Sequence, residues 1–295
     1  MSRKVKNAIA VLFIILGLIG MLYPLASTLL NNKYNADLAE KTEQKLEKIP
    51  EDEKVGLWDA MLAYNKELKR DPIDVRRIGS GREDPRYSEY LDVGKTQTMD
   101  EISQIVIPDI DVSLPVYRGT EDKTLARGAG HLFGTTLPTG GEGSNTAISA
   151  HTGMVNASMF DALPKLKPGQ DIYLSTLGHK LRYKMVDSQV VPPDSTDALP
   201  APGGDGDYLY LITCTPYGLN TDRLIVRAER AELQDPPPDL SEISNSLSGW
   251  TWWMTVSVIC AVVVVVLAVT PFFRKRRKDQ SRSSRFERYP GVSQQ

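Results

Sequence analysis

Two cysteines occur in 295 residues, Cys214 and Cys260. Cys214 ends the apolar run "DYLYLIT" and enters the turn-rich "CTPYGLNTDR", where a side chain can be both held and accessible. An unpaired thiol of this kind is either a buried structural residue or a nucleophile. Arg223 opens the next apolar run, nine positions later, so a strand, a loop and a return strand can bring the two to one rim. Three histidines could complete such a site. His151 closes "NTAISA", His131 lies in the loop-like "GAGHLFGTTLP", and His179 sits at the tip of "TLGHKL", where solvation accounts for it. A Cys, a His and an Arg together suit acyl transfer. The thiolate attacks a carbonyl, the imidazole protonates the leaving amine, and the guanidinium stabilises the oxyanion. The bland alternatives are a buried thiol, a histidine bonded to backbone and a rim salt bridge. No His/Cys cluster has metal-ligand spacing, so neither metal nor cofactor is expected.

The elements around these residues are strands. "SQIVIP", "VSLPVY", "NTAISAH", "DIYLSTLGHKLRYKMVDSQVV", "DYLYLITC" and "RLIVRAE" are short apolar runs separated by turn residues, which predicts a small β-barrel or sandwich. Gly178-His179 marks a hairpin tip, and "NASMFDALPKL" a short helix or turn. Upstream, Leu38, Leu46, Trp58, Met61 and Leu62 recur at helical spacing, predicting two helices broken at Ile49-Pro50. Lys69–Asp100 is polar and Gly/Pro-containing, and is expected as loop.

Two apolar blocks frame this region. Ala8–Leu30 is 23 residues without a charge, and Gly249–Phe273 is 25, opened by Trp250, Trp252 and Trp253 and closed by "RKRRK". The first lacks an A-x-A-like cleavage site, so a retained anchor is preferred to a cleaved signal. The net charge of −2 is divided unevenly: +3 before the first block and +6 after the second leave −11 between them. Basic flanks place both termini in the cytoplasm and the middle outside, with a lipid bilayer as partner. The acidic middle excludes nucleic acid. Cys260, inside "SVICAVV", is a small apolar membrane residue. The second block also looks like a cell-wall sorting tail, but no LPxTG-type pentapeptide precedes it, and "LPTG" at Leu137–Gly140 is read as a loop.

"LITCTPYGLNTDRLIVRAER", Leu211–Arg230, resembles the "TLxTCTPYGxNTxRLxVRGxR" signature of sortases. "AISAHTGM", "IVIPDIDVSLPVYRGTED" and "GAGHLFGTTLPTGG" match further parts of that domain in order. The resemblance implies an eight-stranded β-barrel and assigns Cys214 as nucleophile, His151 as general acid/base and Arg223 as oxyanion stabiliser. Thr152 stands where relatives usually carry Arg. The layout is similar to class C sortases, which polymerise pilins and carry a second membrane helix and an N-terminal lid. That implies substrates with LPxTG-like signals, cleaved after Thr, and a pilin lysine as acceptor. The alternatives are a housekeeping enzyme that anchors surface proteins to the cell wall, or a non-catalytic membrane scaffold. The lid motif, "DP" followed by an aromatic, has two candidates: Asp71-Pro72-Ile73, and Asp84-Pro85-Arg86. The expected layout is cytoplasm at 1–7, membrane helix at 8–30, helical and lid region at 31–99, catalytic barrel at 100–232, proline-rich spacer at 233–248, membrane helix at 249–273 and basic tail at 274–295.

Overall fold

The computed structural model describes residues 2–73, 84–96, 99–193, 195, 199–247 and 250–286. It divides into two compact units, 28–249 and a second formed by 1–27 with 250–295. Among the described residues two helical stretches are long and apolar enough to cross a membrane: Val5–Asn35, most of it in the second unit, and Trp253–Thr270, wholly in it. Cys260 is exposed on the latter.

Eight strands close a barrel in the first unit: β1 (Glu101–Ile107), β2 (Val112–Arg118), β3 (Ala129–His131), β4 (Ser144–Ser149), β5 (Asp171–Thr176), β6 (His179–Val191), β7 (Asp207–Thr215) and β8 (Asp222–Ala231). Their order around the barrel is β1-β2-β3-β4-β7-β8-β6-β5, with β5 returning to β1. Two neighbouring pairs are parallel, β2–β3 and β4–β7. Seven of these strands follow the six expected apolar runs, β5 and β6 sharing one. β3 does not, because three residues, two of them small, carry no readable alternation. Gly130 of β3 passes so close to Gly119 that a Cβ there would lie 2.2 Å from its carbonyl oxygen. The β5–β6 hairpin turns at Leu177 and Gly178, both with positive φ.

Among the described residues there are six α-helices: α1 (Arg3–Glu47), α2 (Glu51–Arg70), α3 (Arg86–Asp92), α4 (Asp122–Leu125), α5 (Leu240–Ser246) and α6 (Trp252–Phe286). The break at Ile49-Pro50 is present, with Glu51, Asp52 and Glu53 in the first turn of α2, where the helix dipole favours them. The apolar stretch and the helix after it, however, form one 45-residue rod. α3 corrects the expectation of loop through Lys69–Asp100. Seven residues are too few to be helical alone. They are held by Tyr90, which is fully buried, and by Tyr87, edge-on to Phe133 with ring centroids 5.0 Å apart.

α2 docks on the barrel through Asn65, which is 2% exposed. Its amide donates to Leu137 O (3.0 Å) and Thr139 Oγ1 (2.8 Å), and its Oδ1 accepts from Leu137 N (2.8 Å). The "LPTG" segment is therefore a loop, as expected, and a docking site for α2. Trp58 of α2 stacks on His179 with centroids 3.9 Å apart. This corrects the reading of His179 as merely solvated: the hairpin tip extends to the helix. The proline-rich segment after β8 is also packed down. Lys180 Nζ donates to Pro238 O (3.0 Å), Asp239 caps α5, and Leu240 is buried against β1 and β5.

Asn65→Ala leaves the buried Leu137 N–H without its acceptor. The expected loss is about 2–3 kcal/mol of stability, read by chemical unfolding of the intact chain.

Candidate active site

The site follows from strand register. In the antiparallel β7–β8 pair, Cys214 lies directly opposite Arg223. Opposed residues point to the same sheet face, with Cβ atoms about 5 Å apart. On the other side of β7, parallel β4 pairs Ser149 with Ile212. The alignment continues past the end of β4: Ala150 N donates to Ile212 O (3.1 Å), and Thr213 Oγ1 donates to Ala150 O (2.9 Å). His151 is two positions beyond Ser149, and Cys214 is two beyond Ile212. The three residues therefore come level across adjacent strands.

Alternation gives the face. Ile148, Leu209, Leu211, Leu224 and Val226 belong to the main core within the barrel. Ala147, Tyr210, Ile212 and Ile225 form a separate cluster on the outer face. Cys214, Arg223 and His151 share the parity of this second set, so the site lies on the outer surface at the ends of β4 and β7. Along the same face, Tyr210, Ile225, Arg227 and Pro200, with Asp187–Gln189 of β6, line a cavity of about 490 Å³. All three side chains are partly exposed. Arg223 Nη1 donates to Asp222 O (3.1 Å) and Asn220 O (3.4 Å), which directs its guanidinium along its own turn.

The loop after His151 is closed by a residue that sequence reasoning missed. Asp161 accepts from Gly153 N (2.7 Å) and Thr152 Oγ1 (2.9 Å), and burial raises its pKa against the pull of these two donors. Thr152, at the position where Arg was expected, is thus a buried hydrogen-bond donor to this carboxylate. Phe160 N donates back to His151 O (3.0 Å). Asp161 is ten positions from His151 inside "MFDALPKL", and nothing in that string marks it.

His131 is held away from the site. It is fully buried; its Nε2–H donates to Thr136 O (2.8 Å), which leaves Nδ1 to accept from Tyr90 OH (2.9 Å). Burial, helped by the charge of Arg118, lowers its pKa to about 4. The two lid candidates meet each other: Arg86 Nη1 pairs with Asp71 (3.2 Å) and Nη2 with Asp84 (2.9 Å), and this holds the Asp84 carboxyl below its usual range. Pro85 precedes α3, and Ile73 is buried in the core. Residues 74–83 between the motifs lie outside the described residues.

The unfolded chain takes up a proton on His131 near the ordinary value of 6.5, and the folded chain near 4. This stabilisation is complete above the higher value and is lost as pH falls through the lower, by about 3 kcal/mol at most. Unfolding measured across that range should show the loss, and His131→Gln should flatten it.

A Sortase domain family model matches residues 105–231. Sortase C-1 of Actinomyces oris is 41% identical, with TM-score 0.56, over 62% of this chain and 100% of that one. Sortase C of Streptococcus pneumoniae is 33% identical, with TM-score 0.59, over 66% and 97%. Among curated relatives, Sortase A of Streptococcus agalactiae is 29% identical over 138 residues, 46% of this chain and 55% of that one. The chain thus spans about half the length of the curated relatives it matches. A closed eight-stranded barrel with a Cys–Arg pair across β7 and β8, and full coverage of a relative sharing two residues in five, place this chain in the sortase family, with class C enzymes among its structural neighbours.

Proposed function

We propose that the chain is a membrane-anchored cysteine transpeptidase that polymerises pilins. Cys214 attacks the carbonyl of Thr in an LPxTG-like sorting signal. The Thr–Gly bond breaks, His151 delivers a proton to the departing amine, and a thioester remains on Cys214. A pilin lysine amine then attacks the thioester, giving its proton to His151 and expelling the Cys214 thiolate, which restores the starting pair. Arg223 stabilises the oxyanion in both steps. The observation that carries this reading is the register setting Cys214 opposite Arg223, with His151 level on the parallel neighbour. The cavity along the outer face supplies a groove for the residues preceding the scissile bond.

The lysine acceptor rests on coarser support. The Streptococcus pneumoniae sortase C has pilin substrates, and this chain shares its fold over 97% of that protein. A second apolar helix beyond the barrel and the helices before it fit the same class. With basic residues before the first span and after the second, both termini are cytoplasmic and the barrel, residues 100–232, is extracellular. The ion-paired trio Asp71–Arg86–Asp84 belongs to the lid in this reading.

Purified full-length protein should cleave a fluorogenic LPxTG peptide and join it to an amine. Cys214→Ala should abolish both steps, and Arg223→Lys should lower kcat by about 100-fold, since a point charge does not reproduce the planar fork. Persistence of cleavage in Cys214→Ala would remove the proposal.

A further inference from the structure

The interior of α1 contains an anomaly of composition. Asn31 and Asn32 are adjacent, in the middle of a 45-residue helix, although asparagine is a poor helix former. About 20 residues suffice to cross the hydrocarbon, so a span begun at Ala8 is complete near Ser27. The compact barrel unit begins at the next residue, Thr28. At 1.5 Å per residue the helix is roughly 68 Å long, more than twice the hydrocarbon thickness, so a long segment continues outside.

That segment touches the loop that begins at His151. Asn31 Nδ2 donates to Asn156 O (3.1 Å), Asn32 Nδ2 to Ser158 Oγ (3.2 Å), and Thr28 Oγ1, at a long 3.4 Å, to Val155 O. Positions i, i+3 and i+4 share one helix face, so one stripe of α1 engages one stretch of loop. The loop is anchored in the core at Ala157, Met159 and Phe160, and its remaining stretch needs further support. It contains neither strand nor helix between His151 and Phe160, and Val155 is 64% exposed. Its inner end is fixed by Asp161 and by the Phe160–His151 backbone bond. Its outer end, Val155–Ser158, is met by the three side chains of α1.

We infer that Thr28, Asn31 and Asn32 are positioning residues that clamp the His151 loop, making the outer segment of the first membrane helix part of the active-site framework. The inference rests on the proposed role of His151. It assigns the anchor helix a second task beyond retention in the membrane. Loss of the clamp lets the loop sample positions in which the imidazole is misplaced relative to Cys214, which lowers the rate of bond breaking more than it weakens substrate binding.

The test uses the full chain in lipid nanodiscs. Asn31→Ala/Asn32→Ala removes the donors while raising helix propensity, so α1 itself is not weakened. Turnover of the LPxTG peptide should fall about tenfold in kcat with KM little changed. Amides in 153–158 should exchange hydrogen faster, and Asn31→Gln/Asn32→Gln, which keeps the donors, should restore part of both. Unchanged kcat and unchanged exchange would overturn the clamp, as would a loss confined to KM. If the unsubstituted protein turns nothing over, the proposed function falls. Exchange then decides the clamp without substrate: faster exchange upholds it, unchanged exchange overturns it.

Discussion

The register of three strands is the constraint on which the site depends. β7 pairs in parallel with β4 and antiparallel with β8, and these two pairings set His151 and Arg223 on either side of Cys214. A slip of one residue in either pairing would turn a side chain from the outer face into the barrel. The register is fixed from within, because one face of each strand is core. Leu209, Leu211, Leu224 and Val226 are 0 to 7% exposed, and a one-residue slip would exchange them with Tyr210, Ile212 and Ile225, residues of different size and shape that pack in the separate outer cluster. Packing inside the barrel thus determines geometry outside it.

What lies beyond the strand ends is held differently. The His151 loop is anchored in the core by Ala157, Met159 and Phe160, and its remaining stretch is secured by hydrogen bonds: the half-buried Asp161 carboxylate on its inner side and amide donors of α1 on its outer side. At the far end of β7, Asp207 accepts from Gly141 N (2.7 Å) and Tyr183 OH (3.0 Å), fixing the loop on which Asn65 docks. Burial raises the Asp207 pKa against these donors. Both carboxylates accept a loop backbone N–H, from Gly153 and Gly141, together with a side-chain hydroxyl, and so tie two loops down. The barrel supplies rigidity, and buried polar contacts aim the loops that leave it.

Much of this was legible in sequence, for identifiable reasons. Strands with clear apolar runs could be read, and Cys214 stood out as the sole cysteine outside the apolar blocks. The family signature then joined it to His151 and Arg223 across 63 and nine positions. Local pattern could not reach β3, which has too few residues to show a period, or α3, whose helical state comes from Tyr87 and Tyr90 packing on distant partners. His179 at a hairpin tip gave no sign of Trp58, which stacks on it from 121 positions away. Asp161 was hidden because one carboxylate within the mostly apolar "MFDALPKL" has no spacing that ties it to Thr152 and Gly153. Asn31 and Asn32 did carry a signal, as poor helix formers inside a long helix. Its meaning appears once the helix is seen beside the loop.

The central claim is that Cys214 carries the acyl group between donor and acceptor. Intact-mass and fragment-ion spectra of the full-length protein, incubated with an LPxTG peptide and no amine, test it most directly. The account predicts one acyl adduct, labile to hydroxylamine as a thioester should be and located on Cys214. Cleavage of the peptide with no adduct, or with the adduct on another residue, would contradict it.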